Sequence, residues 1–148
     1  MKKIAILLIC LSVCVVTGCS SMTKPLYYSV GVKNKGKEMI VVDPFQITDG
    51  PVSIVDVGEV YPDGNATMAP FYTRPFQHVI VTWRATTTKS KGKAEAMLNL
   101  PKEFTKERGS FINFYIFPDT QKIDVAYEIL NPKTGQTDTV LQPTATSQ

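Results

Sequence analysis

The sequence predicts an all-β fold, an antiparallel β-sandwich of about seven or eight strands, immunoglobulin-like in style. Three observations carry this. Phe76 to Ala85 alternates with period two, with Val79, Val81 and Trp83 on one face and His78, Ile80, Thr82 and Arg84 on the other. Apolar segments of strand length recur along the chain, punctuated by Pro, Gly, Asn and Asp. After the N-terminal segment, no stretch shows the 3.6-residue apolar stripe of a long amphipathic helix.

The first segment stands apart. Lys2 and Lys3 precede an apolar run from Ile4 to Val16. As a helix this run would rise only about 20 Å, short of the roughly 30 Å hydrocarbon core of a bilayer. It therefore reads as the hydrophobic region of an export signal. The run ends in Val16-Thr17-Gly18-Cys19, which matches the lipobox of bacterial lipoproteins. Residues 1–18 are expected to be a lipoprotein signal peptide. Cys19 is expected to carry the lipid (palmitate and related acyl chains), and residues 19–25 to form a lipidated tether. Cys10 and Cys14 would leave with the signal, and the remaining sulfur would be alkylated, so neither a disulfide nor a thiolate site is expected. Ser20 follows the cysteine where an Asp would signal inner-membrane retention. The expected location is the periplasmic face of the outer membrane.

Residues 26–130 form the expected β-sandwich domain. Leu26 to Val32 is rich in Tyr and Val. Met39 to Ile47 follows a Lys-Gly turn, with Pro44 marking an edge or a bulge. In Val52 to Val60, Val52, Ile54 and Asp56 alternate with Val55 and Val57. Pro62-Asp63-Gly64-Asn65 is a strong turn signal, and Met68 to Tyr72 a weaker strand. After Phe76 to Ala85, residues 86–93 read as a polar hairpin turn. Ala94 to Leu100 fits either a strand or a short helix, because Ala, Glu, Met and Leu favour helix. Lys102 to Arg108 fits one helical turn or a loop. Phe111 to Phe117 is an aromatic strand, and Ile123 to Leu130 closes the domain with Ile123, Val125, Tyr127 and Ile129 on one face. Residues 131–148, rich in Thr, Pro and Gln, read as a flexible tail.

Charge and motifs narrow the function. Without Lys2 and Lys3, the 16 basic and 13 acidic residues come close to balance, and nothing favours a nucleic-acid partner. Lys33, Lys35 and Lys37, and again Lys89, Lys91 and Lys93, alternate with other residues, as solvated turns do more often than anion-binding patches. His78 is the single histidine, and no Gly-x-Ser-x-Gly elbow accompanies it. One histidine and no thiolate make a zinc site unexpected. The aspartates are scattered without calcium-loop spacing. The expectation is a protein that is no enzyme and holds no cofactor or metal, but acts by binding. Tyr61, Phe71, Tyr72 and Arg74 are the candidate protein-binding residues, since Tyr and Arg are enriched in interface hot spots.

One resemblance sharpens this. Val30-Gly31-Val32-Lys33-Asn34-Lys35, then Val42-Asp43-Pro44-Phe45-Gln46-Ile47-Thr48-Asp49-Gly50, and then Val81-Thr82-Trp83, resemble a family of small Gram-negative lipoproteins of unknown function. Its members have a Gly-x-x-Asn turn, a strand ending in Gly and a central Val-x-Trp strand. Their genes often lie beside phospholipase effectors of the type VI secretion system, and some members are read as immunity proteins. The resemblance implies a toxin as protein partner. The other reading is a structural or assembly lipoprotein of the cell envelope or of a secretion apparatus.

Overall fold

The computed structural model describes residues 25–49, 55–104 and 110–142. The expected signal peptide, Cys19, the tether up to residue 24, residues 105–108 of the expected turn or loop at Lys102 to Arg108, and residues 143–148 of the expected tail lie outside them. Two sheets face each other. The first contains β1 (Leu26–Asn34), β5 (Asn65–Thr67), β6 (Phe71–Thr73), β9 (Ser110–Phe117), β10 (Lys122–Leu130) and β11 (Thr137–Gln142). Its order is β11-β10-β9-β1-β5, with β6 also paired to β1. The second contains β2 (Ile40–Val42), β3 (Gln46–Ile47), β4 (Gly58–Val60), β7 (His78–Ala85) and β8 (Lys91–Met97). Here β7 is central, with β8 along one side and β3 and β2 along the other, and β4 pairs with β2.

The alternation seen in the sequence decides what is buried. Val79, Val81 and Trp83 of β7, with Ala94 and Ala96 of β8, face Tyr28, Val30 and Val32 of β1 and Ile112, Phe114 and Ile116 of β9. Ile123, Val125, Tyr127 and Ile129 of β10 complete the same core. Edge-to-face ring contacts tie it together, Phe45 to Phe114 at 5.0 Å and Phe104 to Tyr127 at 6.0 Å. Burial pushes the phenol of Tyr28 well above the ordinary tyrosine range and that of Tyr127 up to about 12.

Asn34 joins the sheets at one end. Its buried Nδ2 donates to the carbonyls of Glu38 (2.8 Å) and Val60 (3.0 Å), and its Oδ1 accepts from Gly36 N–H (2.8 Å). Polar groups are stable in such a place only when satisfied, and these bonds fix the turn between β1 and β2.

The structure corrects several expectations. The sandwich is not antiparallel throughout: β1 runs parallel to β9 over seven residue pairs. A parallel pair needs a long crossover. Here the chain passes through the second sheet between the two strands. Eleven short strands occur among the described residues, not seven or eight. Pro44 interrupts what read as one strand, leaving β2 and β3. Of the expected strand Met68 to Tyr72 only Phe71 and Tyr72 are in a strand, β6; residues 68–70, which include Pro70, lie between it and β5 at Asn65–Thr67. The expected tail at 131–148 is not wholly a tail, since β11 pairs with β10 through six residue pairs. Its polar, Thr-rich composition hid it because nearly the whole strand is exposed. Lys91–Met97 is a strand, which settles the ambiguity at Ala94 to Leu100. Residues 52–54 of the strand read from Val52 to Val60 lie outside the described residues; in the rest the alternation breaks at Gly58, where a φ of 71° reverses the pleat and lets both Val55 and Val60 face the core.

Candidate functional site

The candidate binding residues occupy one edge of the first sheet. β6 is held by β1, with Tyr72 opposite Tyr27 and Phe71 opposite Tyr28. Pro75 and Phe76 are buried just after it, and the Tyr28 hydroxyl donates to the carbonyl of Arg74 at 3.3 Å. The backbone of residues 71–76 is thus fixed while Tyr72, 65% exposed, and Arg74 reach solvent. Tyr61, also 65% exposed, sits at the other end of that edge, where Gly64 N–H donates to its carbonyl at 2.9 Å and Asp63 takes a φ of 52°. Gly64 in turn accepts from Asn34 N–H, at the far end of β1 from Tyr27. Seven residue steps of strand separate those ends, about 20 Å. The structure therefore brings Tyr72 and Arg74 together and leaves Tyr61 apart from them.

A second constellation lies on the outer face of the second sheet and was not visible in the sequence. His78 Nδ1 meets Thr48 Oγ1 at 2.5 Å, and its Nε2 lies 3.5 Å from Glu95 Oε2. The order hydroxyl, imidazole, carboxylate is that of a hydrolase triad. The same residues also join two strands. Asp49 Oδ1 accepts from the N–H groups of both Gln77 (3.1 Å) and His78 (2.7 Å), and Thr48 N–H donates to the His78 carbonyl. These bonds hold β3 against the start of β7. The arrangement acts as a bracket. Only the register of β3 on β7 brings Thr48 to His78, so sequence spacing carried no signal of it.

The residues that carry the family resemblance build the frame. Gly31 lies under Asn113, where a β-carbon would fall 2.1 Å from Oδ1. Asn34 is the buried bracket described above, and Trp83 fills the core beside Gly92. The first lysine cluster is divided. Lys33, in β1, lies 3.4 Å from the Tyr115 hydroxyl and 3.5 Å from Glu128, while Lys35 lies 3.9 Å from Asp63. Burial pulls Lys33 down, but Tyr115 and Glu128 outweigh it and hold the ammonium above the ordinary lysine range. In comparisons with known proteins, no family model matches this chain, no curated protein matches it, and no solved structure matches its fold. Among the described residues no group of His, Cys, Asp and Glu has the arrangement of a metal site, and no helix is long and apolar enough to cross a membrane.

Proposed function

We propose that this chain is a lipid-anchored, periplasm-facing binding protein that neutralises a co-encoded phospholipase toxin of the type VI secretion class. The observation that carries this is the edge at β6. Tyr72 and Arg74, two residue types that dominate interface energetics, stand exposed on a backbone that neighbouring bonds hold still. Among the described residues β6 pairs only with β1, so its other side offers backbone donors and acceptors to an incoming strand. A backbone already held in place loses little entropy on binding. Nanomolar inhibition corresponds to about −12 kcal/mol and typically takes on the order of 1,600 Å² of buried surface, which a domain of this size can provide.

The anchor rests on Val16-Thr17-Gly18-Cys19. A diacyl or triacyl chain at about 0.8 kcal/mol per buried methylene makes anchoring effectively permanent. It would hold the domain where a phospholipid-cleaving effector works, at the outer membrane.

The decisive experiment expresses the neighbouring toxin in the periplasm with and without this protein, and measures survival and complex formation. Protection together with a complex at micromolar concentration or tighter supports the reading. Equal survival and no complex would overturn it in favour of an envelope or secretion-apparatus assembly role. The anchor is tested separately with Cys19→Ala, which is expected to give an unprocessed or soluble form. A cleaved, detergent-requiring variant would refute it, as recovery of the native protein in the inner-membrane fraction of a sucrose gradient would refute the location.

A further inference from the structure

The hairpin of β7 and β8 carries a feature that the toxin-binding reading does not use. Its register places Arg84 directly opposite Lys91, and Thr82 opposite Lys93, with all four side chains on the outer face of the second sheet. Like charges directly opposite each other destabilise a strand pair. Both Arg84 and Lys91 are exposed, and Lys91 has no ion pair among the described residues. They line a depression of about 580 Å³ together with Lys93, Thr82, Asp43, Trp83, Gly92 and Gln121. That volume lies within the roughly 300–1,000 Å³ range of small-molecule sites. A second, adjoining hollow shares Arg84 and Lys91 and adds Lys89.

We propose that this depression is a phosphate-binding site, in which Arg84, Lys91 and Lys93 hold the phosphate group of a small soluble ester or of a lipid headgroup. Three cations and one carboxylate line it. The carboxylate, Asp43, accepts from Thr82 Oγ1 at 3.1 Å and lies 4.0 Å from Arg84 Nη2, so it orients the guanidinium without neutralising the patch. Glu95, 3.9 Å from Lys93, also faces His78 and holds Lys93 weakly. A phosphate seated between Arg84 and Lys91 would turn their mutual repulsion into two charge-assisted hydrogen bonds, with the planar guanidinium suited to two phosphate oxygens. The bare pair costs stability, and an anion between them recovers it.

The test uses the purified full-length protein. Amide chemical shifts of Thr82, Gly92 and Lys93 are followed on titration with inorganic phosphate and with glycerol phosphate. The second arm compares the same amide shifts in the lipid-anchored protein placed in nanodiscs of pure phosphatidylcholine and of phosphatidylglycerol in phosphatidylcholine, because the anchor itself binds either bilayer. Saturable shifts with the soluble phosphates assign a soluble ester, and shifts that appear only with phosphatidylglycerol assign a headgroup; both support the site. Lys91→Glu is expected to weaken binding by about tenfold or more while raising the melting temperature, because it replaces repulsion with an opposite-charge pair. Lys91→Arg is expected to retain binding, and Arg84→Gln to lose it with the fold intact. No saturable binding in either arm, or equal binding by the native protein and Lys91→Glu, would overturn the proposal.

Discussion

The indole of Trp83 covers Gly92, its partner across the β7–β8 pair. A β-carbon built on Gly92 would fall 2.2, 2.3 and 2.4 Å from three atoms of that ring. Gly92→Ala must therefore displace the largest side chain of the core. The expected loss is about 1–3 kcal/mol, the usual cost of overpacking. Urea denaturation followed by fluorescence of the single tryptophan measures it, and an unchanged midpoint would mean the ring has room to move.

Gln142 closes the other side of the sandwich. Its Oε1 accepts from the Tyr127 hydroxyl and, at 3.0 Å, from Asn99 N–H, while its Nε2 donates to the Met97 carbonyl. β11 is thereby stapled to the end of β8. Gln142→Ala leaves the half-buried Tyr127 hydroxyl without its acceptor, and the expected cost is about 1–3 kcal/mol. A loss below about 0.5 kcal/mol in chemical denaturation, as at an ordinary surface site, would show that the staple contributes nothing.

Tyr127 also sets an alkaline limit. Its folded pKa of about 12 lies above the ordinary value of 10.0. The neutral phenol is therefore favoured by folding. Its contribution is fully present below pH 10 and is lost as pH rises from there to about 12. Tyr127→Phe is expected to flatten the fall of the melting temperature over that window. The slope does not vanish, because the buried phenol of Tyr28 is shifted in the same direction. Identical alkaline profiles for the variant and the native protein would contradict this.

At the acid end the responsible group is Glu38. The hydroxyl and N–H of Thr88, and then the N–H of Thr87, hold its carboxyl below the usual value of 4.5. A depressed folded pKa gives stability that is present above pH 4.5 and is lost as pH falls below it. Glu38→Gln is expected to lower the melting temperature at neutral pH, with the difference shrinking as the pH drops below 4.5. A difference that stays constant with pH would assign the effect to packing and not to charge.

The toxin-binding reading predicts a polarised edge. Tyr72→Ala is expected to weaken the complex by about 2 kcal/mol or more, as hot-spot truncations do, and Tyr61→Ala to leave it nearly unchanged. Because both tyrosines are 65% exposed, neither change should unfold the domain. Calorimetric titration of the toxin into each variant makes the comparison. Equal losses at both ends would mean that the partner spans the whole edge.

The β class, the inward faces of β7 and β10, and the turn at Pro62-Asp63-Gly64-Asn65 were legible in the sequence, because alternation and turn chemistry are written in adjacent residues. Which strand lies beside which was not. The parallel alignment of β1 with β9 and the meeting of Thr48 with His78 join residues tens of positions apart, and the β10–β11 hairpin was hidden by the polar composition of β11. The same holds for Arg84 and Lys91, close in sequence yet opposed only because the hairpin takes this register. A strand's period-two pattern says which face turns inward but is the same whatever its neighbour. Partners and register are chosen by the burial of a shared core and by which chain ends can meet, and those are properties of the folded whole.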